Sequence, residues 1–182
     1  MNNIVILIIS IVVLIIIFII TLIIISKNKI NESLNAILIA NDDINNSLKQ
    51  KFAIYKEIIQ FIKDNINISE DAFSNFTSFN RRECTKSDLI NILDKTTYEI
   101  NDYILKYDEL LKTKDFLNLK RKLYHIELNL EAVVDYYNSK LVIYNDLKEH
   151  GPTSIASKVF EFENFNETNI DKNEISRLIN FN

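Results

Sequence analysis

Two Tyr-Asn pairs, Tyr137-Asn138 and Tyr144-Asn145, are the most regularly spaced polar residues in this 182-residue chain. They lie one heptad apart, so on a helix they face the same way. They form either a polar surface that binds a partner or a packed seam, with tyrosine hydroxyls at the bundle edge and asparagines bonding across it. We favour packing for the tyrosines and leave both interpretations open for the asparagines.

A basic cluster, Lys120, Arg121 and Lys122, precedes the Tyr-Asn pairs in the sequence, and His125 follows the cluster closely. Such a cluster can contact anionic lipid headgroups if it lies near a membrane. Exposed charge runs on helices are more often simply solvated, and we prefer that interpretation.

Catalytic patterns are not evident in the sequence. Of Asp115, Glu127 and Glu131, only the two glutamates share a helix face, and no partner base accompanies them. Acids spaced i,i+4 on a helix are usually exposed, and we expect this of both. Cys84 is the only cysteine, which excludes an internal disulfide, and we interpret it as an ordinary thiol. No residues have metal-ligand spacing. The sequence therefore predicts a non-enzymatic protein without a metal or cofactor.

The composition predicts the fold class. The chain contains one Gly and one Pro, adjacent at Gly151-Pro152. Hairpins, tight turns and phosphate loops need these residues, whereas long helices need neither. We therefore predict an all-α fold. The net charge of −4 and the lack of a long basic stripe argue against a nucleic-acid-binding surface.

Residues 4–25 form an apolar run in which only Ser10 and Thr21 are not strongly apolar. As a helix the run is about 33 Å long, enough to cross a hydrocarbon core of about 30 Å. A cleaved signal peptide would have a charged start, a shorter apolar core and a small-residue cleavage site. We predict a short N-terminal segment at 1–3, a transmembrane helix at 4–26, a helical bundle at 27–151 and a tail at 152–182.

The orientation of this single-pass anchor in the cell membrane follows from the flanking charges. Lys27 and Lys29 follow the apolar run, and only the α-amino group precedes it. The positive-inside rule then puts the N-terminus outside and the bundle in the cytoplasm.

Beyond the anchor, apolar residues recur in steps of three and four, the pattern of amphipathic helices with a coiled-coil seam. We expect one nearly continuous helix from Ile4 to about Ile66, a short helix capped by Ser69, and a helix capped by Thr85 or Ser87. Long helices bury their stripes against one another, so the predicted architecture is an antiparallel bundle.

The last long helix should end at Gly151, which can adopt a left-handed conformation, with Pro152 blocking continuation. Its expected seam is Phe116, Leu119, Leu123, Ile126, Leu130, Val133, Tyr137, Leu141 and Tyr144. The tail is expected to pack back onto the bundle through an apolar strip, Ile155, Val159, Phe160, Phe162 and Phe165, and then to become polar, with a short helix near 175–179.

Residues 130–165 resemble the C-terminal signature of the LemA family, in which two Tyr-Asn pairs precede a proline, an alanine and a Phe-rich strip. The matching positions are Tyr137-Asn138, Tyr144-Asn145, Pro152, Ala156, Phe160, Phe162 and Phe165. Earlier positions similar to the family include Ala40, Ile44, Lys51, Ile58, Phe116 and Glu127. The resemblance implies a membrane-anchored helical bundle without an agreed biochemical activity.

The sequence thus predicts a membrane-tethered interaction or scaffold protein with no evident small-molecule substrate. Its expected partners are the lipid bilayer and either another membrane-associated protein or a second copy of itself. Two alternatives stay open. One is an envelope-facing structural or adhesive protein with the bundle outside the cell, and the other is a membrane enzyme whose site the sequence does not reveal.

Overall fold

The computed structural model describes residues 2–80, 84–162 and Phe165, without the side chains of Asn2, Leu110 and Leu111. Within these residues the regular structure is entirely helical, so the predicted all-α class is confirmed. The elements are α1 (Asn2–Asn65), α2 (Ser74–Thr77), α3 (Lys86–Lys106), a 3-10 helix (Asp108–Lys112), α4 (Lys114–Glu149) and α5 (Thr153–Val159).

Helix α1 is 64 residues long and continues without a break from the apolar run into the amphipathic stripe. This confirms the expected single helix, which contains neither Gly nor Pro. The apolar run is exposed along nearly its whole length and is long and apolar enough to cross a membrane. The predicted stripe beyond it is buried at all positions but one: Ile30, Ile37, Ile44, Leu48, Tyr55, Ile58 and Ile62. Leu34, which was also predicted to lie on the stripe, is only partly buried.

The chain divides into two compact units, and α1 and α4 contribute residues to both. Of the described residues, the first unit comprises 2–39 and those from 136 onward, and the second comprises those from 40 to 135. The predicted helix near 175–179 lies outside the described residues.

In the second unit, α4 runs antiparallel to α1. Residues that come later in α1 contact residues that come earlier in α4, as the antiparallel bundle requires. The contacting pairs are Ser47 with Asn129, Lys51 with Glu127, Glu57 with Lys122 and Phe61 with Phe116.

Helix α3 starts at a capping box. The Thr85 hydroxyl accepts a hydrogen bond from the Asp88 backbone N–H at 3.1 Å, and the Thr85 N–H donates to the Asp88 carboxylate at 2.9 Å. Bonds from the Thr85 side chain and then its backbone hold the pKa of Asp88 below its usual value. Of the two predicted caps, Thr85 and Ser87, the structure shows Thr85.

The short helix before α3 differs from its prediction. Ser69 does not cap it; its hydroxyl accepts from the Asp71 N–H at 3.3 Å within a turn. The helix starts at Ser74, after Phe73, which has φ +62°. The Phe73 side chain is buried and packs against Tyr103 with ring centroids 5.2 Å apart. Burial of this ring offsets the strain of a left-handed backbone in a non-glycine residue.

The predicted seam of α4 is confirmed at six positions, which are buried: Phe116, Leu123, Leu130, Tyr137, Leu141 and Tyr144. Leu119, Ile126 and Val133 are instead only partly buried. The residues that follow Ile126 and Val133, which are Glu127 and Val134, are buried in their place. A charged residue is stable there because Lys51 of α1 meets it, a contact that apolar periodicity alone cannot reveal.

In the first unit α4 ends at Glu149, and Gly151 has φ +67°, as the sequence predicts. Helix α5 then docks back. Ala156 is buried, and the Ser157 hydroxyl donates to the Lys148 carbonyl at 2.9 Å. The apolar strip is not buried throughout. Phe160, Phe162 and Phe165 are partly buried, whereas Ile155 and Val159 are exposed.

Candidate functional site

The Tyr-Asn pairs lie in the first unit, on the C-terminal half of α4. Tyr137 and Tyr144 are buried, and burial raises the pKa of Tyr137. Asn138 and Asn145 are half-buried. The tyrosine rings therefore contribute to packing. The Asn138 Oδ1 atom is also buried, and partner binding by the two asparagines stays a prediction.

The basic cluster lies in the second unit. Arg121 and Lys122 are exposed, and Lys120 is half-buried. Lys122 forms an ion pair with Glu57 of α1 at 3.4 Å, with both side chains at least half exposed. Exposed pairs of this kind contribute little to stability, about 0–1 kcal/mol. A contact of this cluster with lipid headgroups stays a prediction.

The polar group that sequence reasoning missed is a buried ion pair. Lys51 Nζ lies 3.0 Å from Glu127 Oε1, and the two side chains are 2% and 9% exposed. Asp115, by contrast, is exposed, and Glu131 is half-buried. The expectation that Glu127 is exposed is therefore wrong, because α1 supplies the cation that makes its burial tolerable.

Tyr55 lies one turn beyond Lys51, with the Lys51 ammonium 5.4 Å from its ring centroid. Its hydroxyl is 2.6 Å from Thr97 Oγ1, and the Thr97 hydroxyl proton is already donated to the Leu93 carbonyl at 2.7 Å. The Tyr55 O–H is therefore the donor. Burial, with the charge of Glu127 adding to it, raises the pKa of Tyr55 well above its ordinary value, so the phenol stays neutral.

Further polar contacts extend this layer along α1. Asn129 of α4 donates to the Ser47 hydroxyl at 3.0 Å, and Lys86 of α3 donates to the Asn41 side chain. Burial lowers the pKa of Lys86. We call Lys51 and Tyr55, with their buried partners Glu127 and Thr97, the buried polar layer. The contacts of Asn41 and Ser47 at its end are more exposed, because Lys86 is half-buried and Asn129 is exposed.

The buried polar layer can fix helix register. A one-residue slip of α4 against α1 would leave Lys51 and Glu127 buried without their partner, which costs several kcal/mol. The sequence contains a signal for the Lys51–Glu127 ion pair. Lys51 lies between Leu48 and Tyr55 on the α1 stripe, and Glu127 lies between Leu123 and Leu130 on the α4 stripe. Opposite charges at seam positions of two long helices are typical of a register-setting pair.

A groove of about 370 Å³ lies between α2 and α3, lined in part by Phe73, Glu99, Tyr103 and Lys106. Burial raises the pKa of Glu99. Across the part of the chain that the structure describes, no three His, Cys, Asp or Glu side chains are grouped so that they could hold a metal ion.

Comparison with known proteins identifies a family. The sequence model of the LemA family matches residues 40–181, a range that begins within α1 and contains all of α3, α4 and α5. No curated protein and no solved structure gives a significant match.

Proposed function

The chain belongs to the LemA family, and we propose that within it this protein is a membrane-tethered, non-enzymatic scaffold whose bundle contacts another membrane-associated protein or a second copy of itself. The observation that carries this proposal is the continuity of α1. One helix holds both the exposed apolar run and the buried stripe of the bundle.

Water is a poor solvent for the apolar run. Its side chains from Ile4 to Ile20 are roughly half exposed or more, and no ionisable side chain lies among them. Soluble proteins rarely expose apolar patches beyond a few hundred Å². A bilayer covers such a surface, and each Leu, Ile, Val or Phe then favours insertion by roughly 0.3–0.6 kcal/mol at the helix centre.

The buried polar layer supports a scaffold role. Ion pairs in a bundle core specify one register among several of similar stability, which gives a surface of defined shape. The same unbroken helix α1 carries both the apolar run and the residues of this core. We assign partner contact to the edge formed by Asn138 and Asn145. The Asn145 amide can donate and accept hydrogen bonds there, whereas the Oδ1 atom of Asn138 is buried and leaves only its NH2 group to reach a partner.

The bundle is proposed to face the cytoplasm, since Lys27 and Lys29 follow the apolar run. Cys84 tests this, because it is the only cysteine and is partly exposed. A membrane-impermeant maleimide should label it only after lysis. Labelling in intact cells would instead support the envelope-facing alternative. Denatured protein gives the full labelling signal as a reference.

Association is tested with the full-length chain, purified in mild detergent and sized by light scattering, with co-purifying proteins identified. The double change Asn138→Ala with Asn145→Ala should weaken association without changing the melting temperature. Asn118→Ala is the matched control, because Asn118 is exposed on the same helix. A monomeric wild type that recovers no partner contradicts the proposal. A large drop in melting temperature would show instead that the asparagines serve packing.

A further inference from the structure

Helix α5 carries an apolar pair that the fold leaves uncovered. Ile155 and Val159 are 56% and 59% exposed, and their spacing places them on one face. The other face is docked through buried Ala156 and through the Ser157 hydroxyl bond to α4. The exposed face is therefore held in a fixed orientation.

Contacts within the first unit place α5 beside the end of the apolar run. The Phe160 ring, directly after α5, lies 4.2 Å from the ammonium of Lys27, which is two residues beyond Ile25. The Ser33 hydroxyl donates to the Lys140 carbonyl at 3.4 Å. From Lys140 to Glu149, α4 rises about 13 Å, whereas Ser33 to Lys27 spans only about 9 Å of α1.

The end of α4 therefore reaches the level of the last turn of the apolar run. In that turn Leu22, Ile24 and Ile25 are also exposed. The apolar pair on α5 and the apolar run thus end at the same height within this unit, at the boundary where a membrane anchor leaves the bilayer.

We propose that α5 is a second membrane contact, a short interfacial helix whose Ile155 and Val159 side chains enter the boundary between headgroups and acyl chains beside the anchor. Apolar side chains of interfacial helices lie about 5–10 Å into this region. The inference rests on the proposed membrane anchoring of α1. It adds a second site of lipid contact, which orients the first unit against the surface.

Charge does not drive this contact. The cations of this part of the first unit, Lys27, Lys29, Lys148 and Lys158, are matched in number by its acids, Glu32, Asp146, Glu149 and Glu161. The long lysine side chains can direct their ammonium groups to the headgroups while their stems remain in the apolar region. The contact should therefore be equally strong with zwitterionic and anionic lipid.

Tryptophan fluorescence tests the proposal, because the chain contains no Trp. Full-length single-Trp variants are reconstituted into phosphatidylcholine vesicles with or without dibrominated acyl chains, which quench Trp on contact. Ile155→Trp and Val159→Trp report on α5. Val142→Trp is the matched control, since Val142 is 66% exposed in the same unit but lies about 10 Å before the end of α4. Ile15→Trp reports on the anchor itself.

We expect brominated lipid to quench Ile15→Trp strongly and both α5 variants by about twofold or more, given their depth. Val142→Trp should be quenched little, and phosphatidylglycerol should not change the pattern. Quenching of Ile15→Trp alone would overturn the α5 contact and leave the anchor intact. An unquenched Ile15→Trp would refute the anchor and this inference with it. A blue shift at α5 that depends on protein density and not on bromine would indicate coverage by a second copy and also overturn the proposal.

Discussion

Replacing Lys51 by Met tests whether the buried ion pair holds the bundle together. Met has a similar length, so the change removes the charge and leaves little cavity. It removes the cation that pairs with the Glu127 carboxylate, whose side chain is only 9% exposed. Removing one partner of a buried pair costs about 3–5 kcal/mol. For a bundle of this size that lowers the melting temperature by about 10–20 °C.

The assay is thermal unfolding of the full-length chain in detergent, followed by far-UV circular dichroism. Lys122→Met is the matched control, because Lys122 also pairs with a glutamate between α1 and α4, but the pair is 59% and 50% exposed. Its loss should cost less than about 1 kcal/mol.

A second substitution makes the test specific. Adding Glu127→Met to Lys51→Met removes both charges, and apolar replacement of a whole buried pair is often neutral or stabilising by about 1–4 kcal/mol. The double variant should therefore recover most of the lost stability. The reasoning is refuted if Lys51→Met melts like Lys122→Met, or if the double variant is no more stable than Lys51→Met alone.

Three further changes probe other parts of the bundle. Glu99→Gln should raise the melting temperature slightly at pH 7 and not at pH 4. Burial raises the pKa of Glu99, so its charged form destabilises the fold only above its unfolded pKa of about 4.3. A gain in melting temperature that persists at pH 4 would contradict this. Leu130→Asp places an unpaired charge at a fully buried position and should abolish cooperative melting, whereas Leu128→Asp, on the exposed face, should not. Thr85→Ala removes the α3 cap and should cost about 1 kcal/mol in urea unfolding, with Ser87→Ala as the neutral comparison.

The long helices could be predicted because their signals are local and repeated. A chain with one Gly and one Pro, and with apolar residues every three or four positions, has few alternatives to long helices. The end of α4 at Gly151 was equally predictable from the sequence, since only a residue without Cβ adopts φ +67° at low cost.

What the sequence did not predict depends on contacts between distant residues. Whether Glu127 faces solvent or the core is decided by Lys51, which lies 76 positions earlier in the chain. The left-handed Phe73 is fixed by packing against Tyr103 of α3. Ile155 and Val159 were expected to be covered because they are apolar. In the structure α5 docks through an adjoining face, where the small Ala156 side chain is buried.

Alkaline carbonate extraction of membranes from cells that express the tagged full-length chain tests the central claim most directly. Carbonate strips proteins held by surface contacts or protein partners and leaves those with a membrane-spanning helix in the pellet. Because the exposed apolar run continues directly into the bundle, the account predicts that the intact chain, of 21.3 kDa without its tag, stays in the pellet. Release into the supernatant, either intact or shortened by loss of the apolar run, would contradict it.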